Sequence, residues 1–268
     1  MDKGKVFRSL HHGPGAFLMP NPWDIGTARL MESLGFKALA TTSAGFAFSR
    51  GLADGAVGFE AMIAHCRELA ASVGVPVSAD LENGKGDSPE SAAETIFAAH
   101  AAGLAGCSIE DHTGDPDDPI YPFPQAVERV AAAAEAARAL KDDFVFTARA
   151  ENYLWGRPDM HDTIARLQAF ADAGADVLYA PGIFDLQTVR AICSSLSRPV
   201  NVLAVRGFSV ESLGAAGVKR ISLGSKLTTL AFGSIRRAAR EMLDDGTFEF
   251  SRDGMAFDEL QALFGRPS

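Results

Sequence analysis

The chain has 268 residues, 47% hydrophobic and 22% charged, a composition that excludes a disordered or fibrous polypeptide and suits one large domain or two small ones. Its formal net charge of −9 speaks against nucleic acid or an anionic membrane as partner. Cys66, Cys107 and Cys193 are too scattered for a metal motif or a disulfide framework, no stretch is long and apolar enough to cross a bilayer, and no signal-type apolar region follows the N-terminus; a cytoplasmic compartment is expected.

Short apolar runs alternate with amphipathic segments along the chain. Residues 17–20 predict a strand and 24–34 a helix capped by Asp24, followed by a strand at 38–42, a glycine-rich loop at 43–58 and a helix at 59–72. A third strand covers 75–79. Ser88-Pro89-Glu90 is a helix start, a cap followed by a first-turn proline and acid, and its helix runs to about 102. The fourth strand, 106–109, ends in Glu110-Asp111; a loop with Pro116, Pro119, Pro122 and Pro124 leads to a helix at 125–140. The fifth strand, 144–148, ends in Arg149. A helix at 161–173 stops at Gly174, and strands at 176–179, 200–203 and 220–223 alternate with helices at 186–195, 209–215 and 226–243. A last short helix covers 255–264.

Eight strand–helix units in series imply a parallel sheet, and at this length a (β/α)8 TIM barrel. An open doubly wound sheet is disfavoured because no GxGxxG follows the first strand. With no linker visible, 1–268 reads as one barrel domain, with 245–268 a C-terminal helical appendage suited to packing on a neighbouring subunit.

Chemistry in such a barrel sits at the C-terminal strand ends. Asp80 and Glu82 are two residues apart and share a face; two acids there repel unless a cation lies between them, and hard oxygen ligands suit Mg²⁺ or Mn²⁺. The other strand ends supply Asn21, Trp23 and Asp24; Thr42 and Ser43; Glu110 and Asp111; Arg149 and Glu151; and Asn201, while the sixth is apolar at Ala180-Pro181. Acids around one arginine fit a metal site beside a carboxylate clamp, because the planar guanidinium grips a carboxylate or phosphate with two N–H groups.

Several motifs carry a resemblance: Ala79-Asp80-Leu81-Glu82-Asn83-Gly84-Lys85-Gly86, Ser-Ile-Glu-Asp at 108–111, Thr-Ala-Arg-Ala at 147–150, Thr42-Ser43-Ala44-Gly45, Gly51-Leu52-Ala53-Asp54, and Asn21-Pro22-Trp23-Asp24 followed by Ala28-Arg29-Leu30. In order and spacing from about Phe17 to Arg240 the chain resembles the isocitrate lyase/phosphoenolpyruvate mutase superfamily. The resemblance implies a Mg²⁺-dependent barrel acting on a 2-oxo carboxylate through an enolate. It places Asp80 on the metal and Glu82, Glu110 and Asp54 on the metal's waters. It gives Arg149 the substrate carboxylate and puts the carboxylate and oxo oxygen against Ser43, Ala44 and Gly45, with Trp23 as a pocket wall. It further implies a homo-oligomer, dimer or tetramer, in which the eighth helix is swapped between barrels.

The chain also departs from the superfamily. Residues 111–116 hold no cysteine where isocitrate and methylisocitrate lyases carry their proton-donating one, so those two activities are not expected. The Lys-Thr-Asn-Ser stretch of the phosphonomutases is not evident. Glu82 stands where most members have aspartate, and Lys85 where an aromatic is common; Lys85 is either a solvated loop residue or an extra positive charge for a dianionic substrate. His112 is the nearest general-acid candidate, so that Arg149, His112 and Glu110 form the expected catalytic group; a hydrogen-bonded loop histidine is the plainer alternative. Asn201 is a candidate for the substrate's distal end, and Tyr153, Trp155 and Arg157 for the mouth. The expected activity is carbon–carbon cleavage of a small 2-oxo or 2-hydroxy diacid, oxaloacetate-type decarboxylation included. A phosphonomutase or phosphonopyruvate hydrolase, and a non-catalytic 2-oxo acid binding protein, are the alternatives.

Overall fold

The computed structural model describes residues 2–265. Its eight strands, β1 (Phe17–Met19), β2 (Leu39–Ala40), β3 (Val77–Asp80), β4 (Gly106–Glu110), β5 (Val145–Arg149), β6 (Val177–Tyr179), β7 (Val200–Leu203) and β8 (Arg220–Ser222), form one parallel sheet in the order β1-β8-β7-β6-β5-β4-β3-β2. The seam between β1 and β2 is bridged where the Ala40 N–H donates to the Pro20 carbonyl at 3.0 Å. The sheet is therefore a nearly closed barrel, and the (β/α)8 fold is the observed one.

The helices that wrap it are α2 (Ile25–Ser33), α4 (Phe59–Ser72), α5 (Pro89–Ala101), α6 (Phe123–Ala139), α7 (Met160–Ala173), α8 (Leu186–Ser194), α9 (Val210–Ala215) and α10 (Lys226–Asp244), with α1 (Lys3–His12) and a short α3 (Ser43–Ser49) as additions and a 3-10 turn (Glu249–Asp253) and α11 (Phe257–Phe264) after the barrel. Local signals set these boundaries. Asp24 caps α2 in a reciprocal capping box with Thr27, Ser88 and Pro89 start α5, and Gly174, at φ 112°, ends α7 in the left-handed conformation that only glycine adopts without strain. β4 and β5 are buried along most of their length, as expected of parallel strands covered by helices.

Two elements were not legible in the sequence. α1 has few apolar positions, yet Phe7 is fully buried and the helix lies across the N-terminal ends of the strands. Its anchors are polar: Lys3 Nζ donates to the carbonyls of Ala70 and Val73, and Arg8 bridges Asp143 and Asp176 at 2.6 and 2.7 Å. α3 occupies the first half of the expected 43–58 loop, with Thr42 as its cap. In α10 Thr228 is the buried residue, while Phe232, Ile235, Met242 and Leu243, which share one face at helical spacing, are 49%, 66%, 42% and 81% exposed, an apolar stripe that none of the described residues covers. The appendage expected at 245–268 begins with the 3-10 turn and α11, which packs on α2; residues 266–268 lie outside the described residues.

Candidate active site

The C-terminal strand ends enclose a cavity of ≈ 640 Å³. Arg149, at the end of β5, is its electrostatic centre. Its Nη1 pairs with Asp80 Oδ1 at 2.6 Å, its Nη2 with Glu110 Oε2 at 3.0 Å and its Nε with Glu151 Oε1 at 2.9 Å. The guanidinium also lies over the Tyr179 ring, 5.1 Å from the centroid. Strand register causes this gathering: Glu110 of β4 sits beside Arg149, and Arg149 beside Tyr179 of β6. Asp80 faces two ways, because its Oδ2 accepts from the Ser43 N–H at 3.3 Å and the Ser43 hydroxyl at 3.0 Å.

The acids outnumber the cations. Asp54, Asp80, Glu82, Glu110 and Glu151 line the cavity against Arg149 and Arg220, five carboxylates to two guanidiniums. Burial, then the charges of Asp80 and Asp54, push Glu82 up to about 7; burial is also the first cause that raises Asp54 and Glu110, the latter well above the carboxylate range. Glu151 Oε2 is buried without a partner. Glu82 takes a positive φ of 52°, alone among the described non-glycine residues, a conformation that costs about 1–3 kcal/mol and concentrates at functional sites. An excess of hard, underneutralised oxygens fits a divalent cation of the Mg²⁺ type. Among the described residues no three His, Cys, Asp or Glu groups are gathered to hold an ion directly, so such an ion would rest on one or two carboxylates and its own waters.

His112 follows the β4 acids. Its ring stacks on Trp155 at 3.9 Å and 9°, its Nδ1 is 3.7 Å from Glu110 Oε1, and its Nε2 is buried without a partner. Burial, helped by the nearby Arg149, lowers its pKa. Asp111 belongs to the support instead: its Oδ1 accepts the Glu151 N–H at 2.8 Å and its Oδ2 pairs with Arg166 at 3.1 Å.

The fold thus brings Ser43, Ala44, Asp54, Asp80, Glu82, Glu110, His112, Arg149 and Asn201 to one cavity. Trp23, Gly45 and Lys85 fall outside its wall. Trp23 is half-buried, and the aromatic wall is Trp155. Gly45 donates its N–H to Thr42 Oγ1 at 3.1 Å, and a Cβ there would meet Thr228 Oγ1 at 2.5 Å, so its smallness admits α10. Lys85 pairs with Glu94 at 2.5 Å on the exposed face of α5, which leaves the solvated-loop alternative and not an extra charge in the cavity. Of the mouth candidates, Trp155 lines the cavity, and Arg157 reaches instead toward Asp118 at 3.7 Å. Sequence reasoning passed over Tyr179, Ser222 and Arg220. All three point inward from β6 and β8, and the period of two within a strand was the available signal.

A parallel (β/α)8 barrel with carboxylates assembled round one arginine at the mouth belongs to the class of barrel enzymes that act on small acids. Residues 7–243 match the phosphoenolpyruvate phosphomutase family, and the chain belongs to that family, within the isocitrate lyase/phosphoenolpyruvate mutase superfamily. It is similar to the crystal structure of a putative lyase/mutase from Burkholderia cenocepacia, with 52% identity and a TM-score of 0.97 over 99% of this chain and 96% of that one. An uncharacterised protein of Mycobacterium tuberculosis is 30% identical over 260 residues, 96% of this chain and 95% of its own length. The structure of an oxaloacetate acetylhydrolase in complex with the product oxalate matches at 26% identity and a TM-score of 0.88, covering 98% and 94% of the two chains.

Proposed function

We propose that the protein is a Mg²⁺-dependent carbon–carbon lyase for a small 2-oxo or 2-hydroxy dicarboxylate, with oxaloacetate-type decarboxylation within its range. The observation that carries this reading is Arg149 held among Asp80, Glu110 and Glu151 while Asp80 also occupies the Ser43 N–H and hydroxyl. The donors that Asp80 now satisfies are the ones a substrate carboxylate and oxo oxygen need. Asp80 would hold the ion, with Glu82, Glu110 and Asp54 on its waters. The ion would supply positive charge where negative charge develops on an oxygen.

The chain's own residues do the rest. Arg149 fixes the carboxylate plane, which sets the angle of the breaking bond. The Ser43 N–H and hydroxyl donate to the oxo oxygen. Trp155 shields the mouth and holds the His112 ring flat against it. Burial raises the pKa of Glu110 and the Nε2 of His112 has no partner; these two groups are the places from which a proton can reach the carbanion left by cleavage. The three cysteines stay out of this chemistry: none lines the cavity, and burial pushes Cys66 up to about 12.

The test is turnover of a panel of 2-oxo and 2-hydroxy diacids with and without Mg²⁺, with pyruvate and carbon dioxide release as readouts. Metal-independent turnover would contradict the reading. Turnover of phosphonopyruvate in place of the diacids would turn it to the mutase side, which the family match favours. Tight oxo acid binding without product would leave a binding protein. The apolar stripe of α10 supports a homo-oligomer with α10 laid on a second copy, and sedimentation of wild type against Ile235→Asp checks it: a wild-type monomer would remove the proposal.

A further inference from the structure

Below the carboxylates the same cavity reaches a second cation of a different kind. Barrel interiors are normally filled by layers of bulky branched side chains, but here Ser78, Ser108, Asn201, Ser222 and Arg220 line the open space. Arg220 is 2% exposed. Its Nε donates to Asn201 Oδ1 at 2.9 Å, its Nη2 to Thr147 Oγ1 at 3.1 Å, and its Nη1 lies 3.4 Å from His11 Nε2.

All three partners are neutral. His11 is driven down to about 3, by burial first and then by the charge of Arg220. Its Nδ1 lies 2.8 Å from the Phe7 carbonyl, which accepts the Nδ1 proton and leaves Nε2 as the acceptor. Among the described residues no carboxylate pairs with Arg220, whereas Arg149 in the same cavity has three. A guanidinium carries five N–H donors; three are engaged, and two remain on a group that lines open space. A buried charge without a counter-charge costs several kcal/mol, and burial pushes Arg220 down to about 9. An anion beside it would remove that cost. Asn201 Nδ2 meanwhile donates to Ser222 Oγ at 3.0 Å, so the residue that accepts the Nε–H of the guanidinium is itself held in place.

We propose that the barrel floor is a second anion subsite, built on Arg220 with Asn201 and Ser222, which takes one small anionic group. That group is either the distal carboxylate of the substrate or a free monovalent anion. Only the first source rests on the reading of the mouth as a 2-oxo acid site. The register row Arg149–Tyr179–Asn201–Arg220 links mouth and floor across β5 to β8.

Two arms on the full-length protein separate the sources. In the first, crystals of wild type and Arg220→Met without oxo acid are soaked in bromide. An anomalous peak against the guanidinium in wild type alone identifies a free-anion site. In the second, calorimetry with Mg²⁺ compares pyruvate with 3,3-difluorooxaloacetate, which carries the distal carboxylate. If the substrate is the source, Arg220→Met weakens the diacid about tenfold or more while pyruvate stays within about twofold, and Arg220→Lys recovers part of the loss. The proposal is overturned if bromide stays away and the two acids weaken by the same factor or not at all; Arg220 is then a strut of the barrel interior. Should Arg220→Met fail to fold, wild-type bromide density and Arg220→Lys decide. If wild type binds neither oxo acid, the reading of the mouth fails, and the bromide arm still decides the floor.

Discussion

Arg149 and Arg220 share one cavity, yet the protein treats the two buried guanidiniums in opposite ways. At the mouth Arg149 sits among three carboxylates and remains short of the charge needed to neutralise all five acids of the site. At the floor Arg220 has only neutral acceptors. The mouth is built to receive positive charge and the floor to receive negative charge. That polarity along one cavity suits a cation and a polyanionic acid binding together, and each end can be broken separately.

The largest effect is expected at Arg149. Arg149→Met strands Asp80, Glu110 and Glu151, and breaking a buried ion pair by removing one partner costs about 3–5 kcal/mol. The loss should be greater at pH 8 than at pH 5, because the stranded acids can take up protons at the lower pH; equal losses in denaturant titrations at the two pH values would break the comparison. Arg220→Met leaves Asn201, Thr147 and His11 without a donor but also removes a buried charge that has no counter-charge, so the two effects offset and the net loss should be smaller than at Arg149, with no such increase toward high pH. His112→Asn should lower kcat about 10²–10⁴-fold with little change in oxo acid affinity, and a fall in affinity of the same size would make the ring a binding group instead.

The two ends also predict opposite pH slopes of stability. Glu82 has a raised pKa, so the folded state holds its proton where the unfolded chain has lost it. The stability this contributes is full below the ordinary 4.5 and lost as pH rises to about 7. His11 has a depressed pKa. Its contribution is present above the ordinary 6.5 and lost as pH falls toward about 3. Glu82→Gln should flatten the first slope and His11→Asn the second, read as unfolding free energy against pH. Smallest of all, Lys85→Ala should leave KM within about twofold, since its partner Glu94 is an exposed residue of α5 and such pairs contribute little; a larger change would return Lys85 to the site.

Much of the mouth was legible because strand ends announce themselves. An apolar run that stops on a carboxylate or an arginine, repeated at β3, β4 and β5, places Asp80, Glu110 and Arg149 on one rim once the eight units are counted. The floor was not legible. Arg220 opens β8, and a charged residue at the start of a strand reads as a solvated end; only the closure of the barrel turns it inward. α1 escaped for a related reason, since only Phe7 and Leu10 pack it on the core and polar anchors such as Lys3 and Arg8 do much of the holding. Lys85 and Gly45 lie in motifs, but the motif did not say which way each faces: Lys85 turns to α5, and Gly45 makes room for Thr228 of α10.

The central claim is that the mouth is a metal-assisted 2-oxo acid site, and calorimetric titration of oxalate, an enolate mimic, tests it most directly. The titration is run with and without Mg²⁺ on wild type and Asp80→Ala. The account predicts that wild type binds oxalate only with Mg²⁺ present and that Asp80→Ala loses both the Mg²⁺ affinity and the Mg²⁺-dependent oxalate binding. Oxalate binding to wild type that is indifferent to Mg²⁺, or Mg²⁺ affinity unchanged in Asp80→Ala, would contradict it.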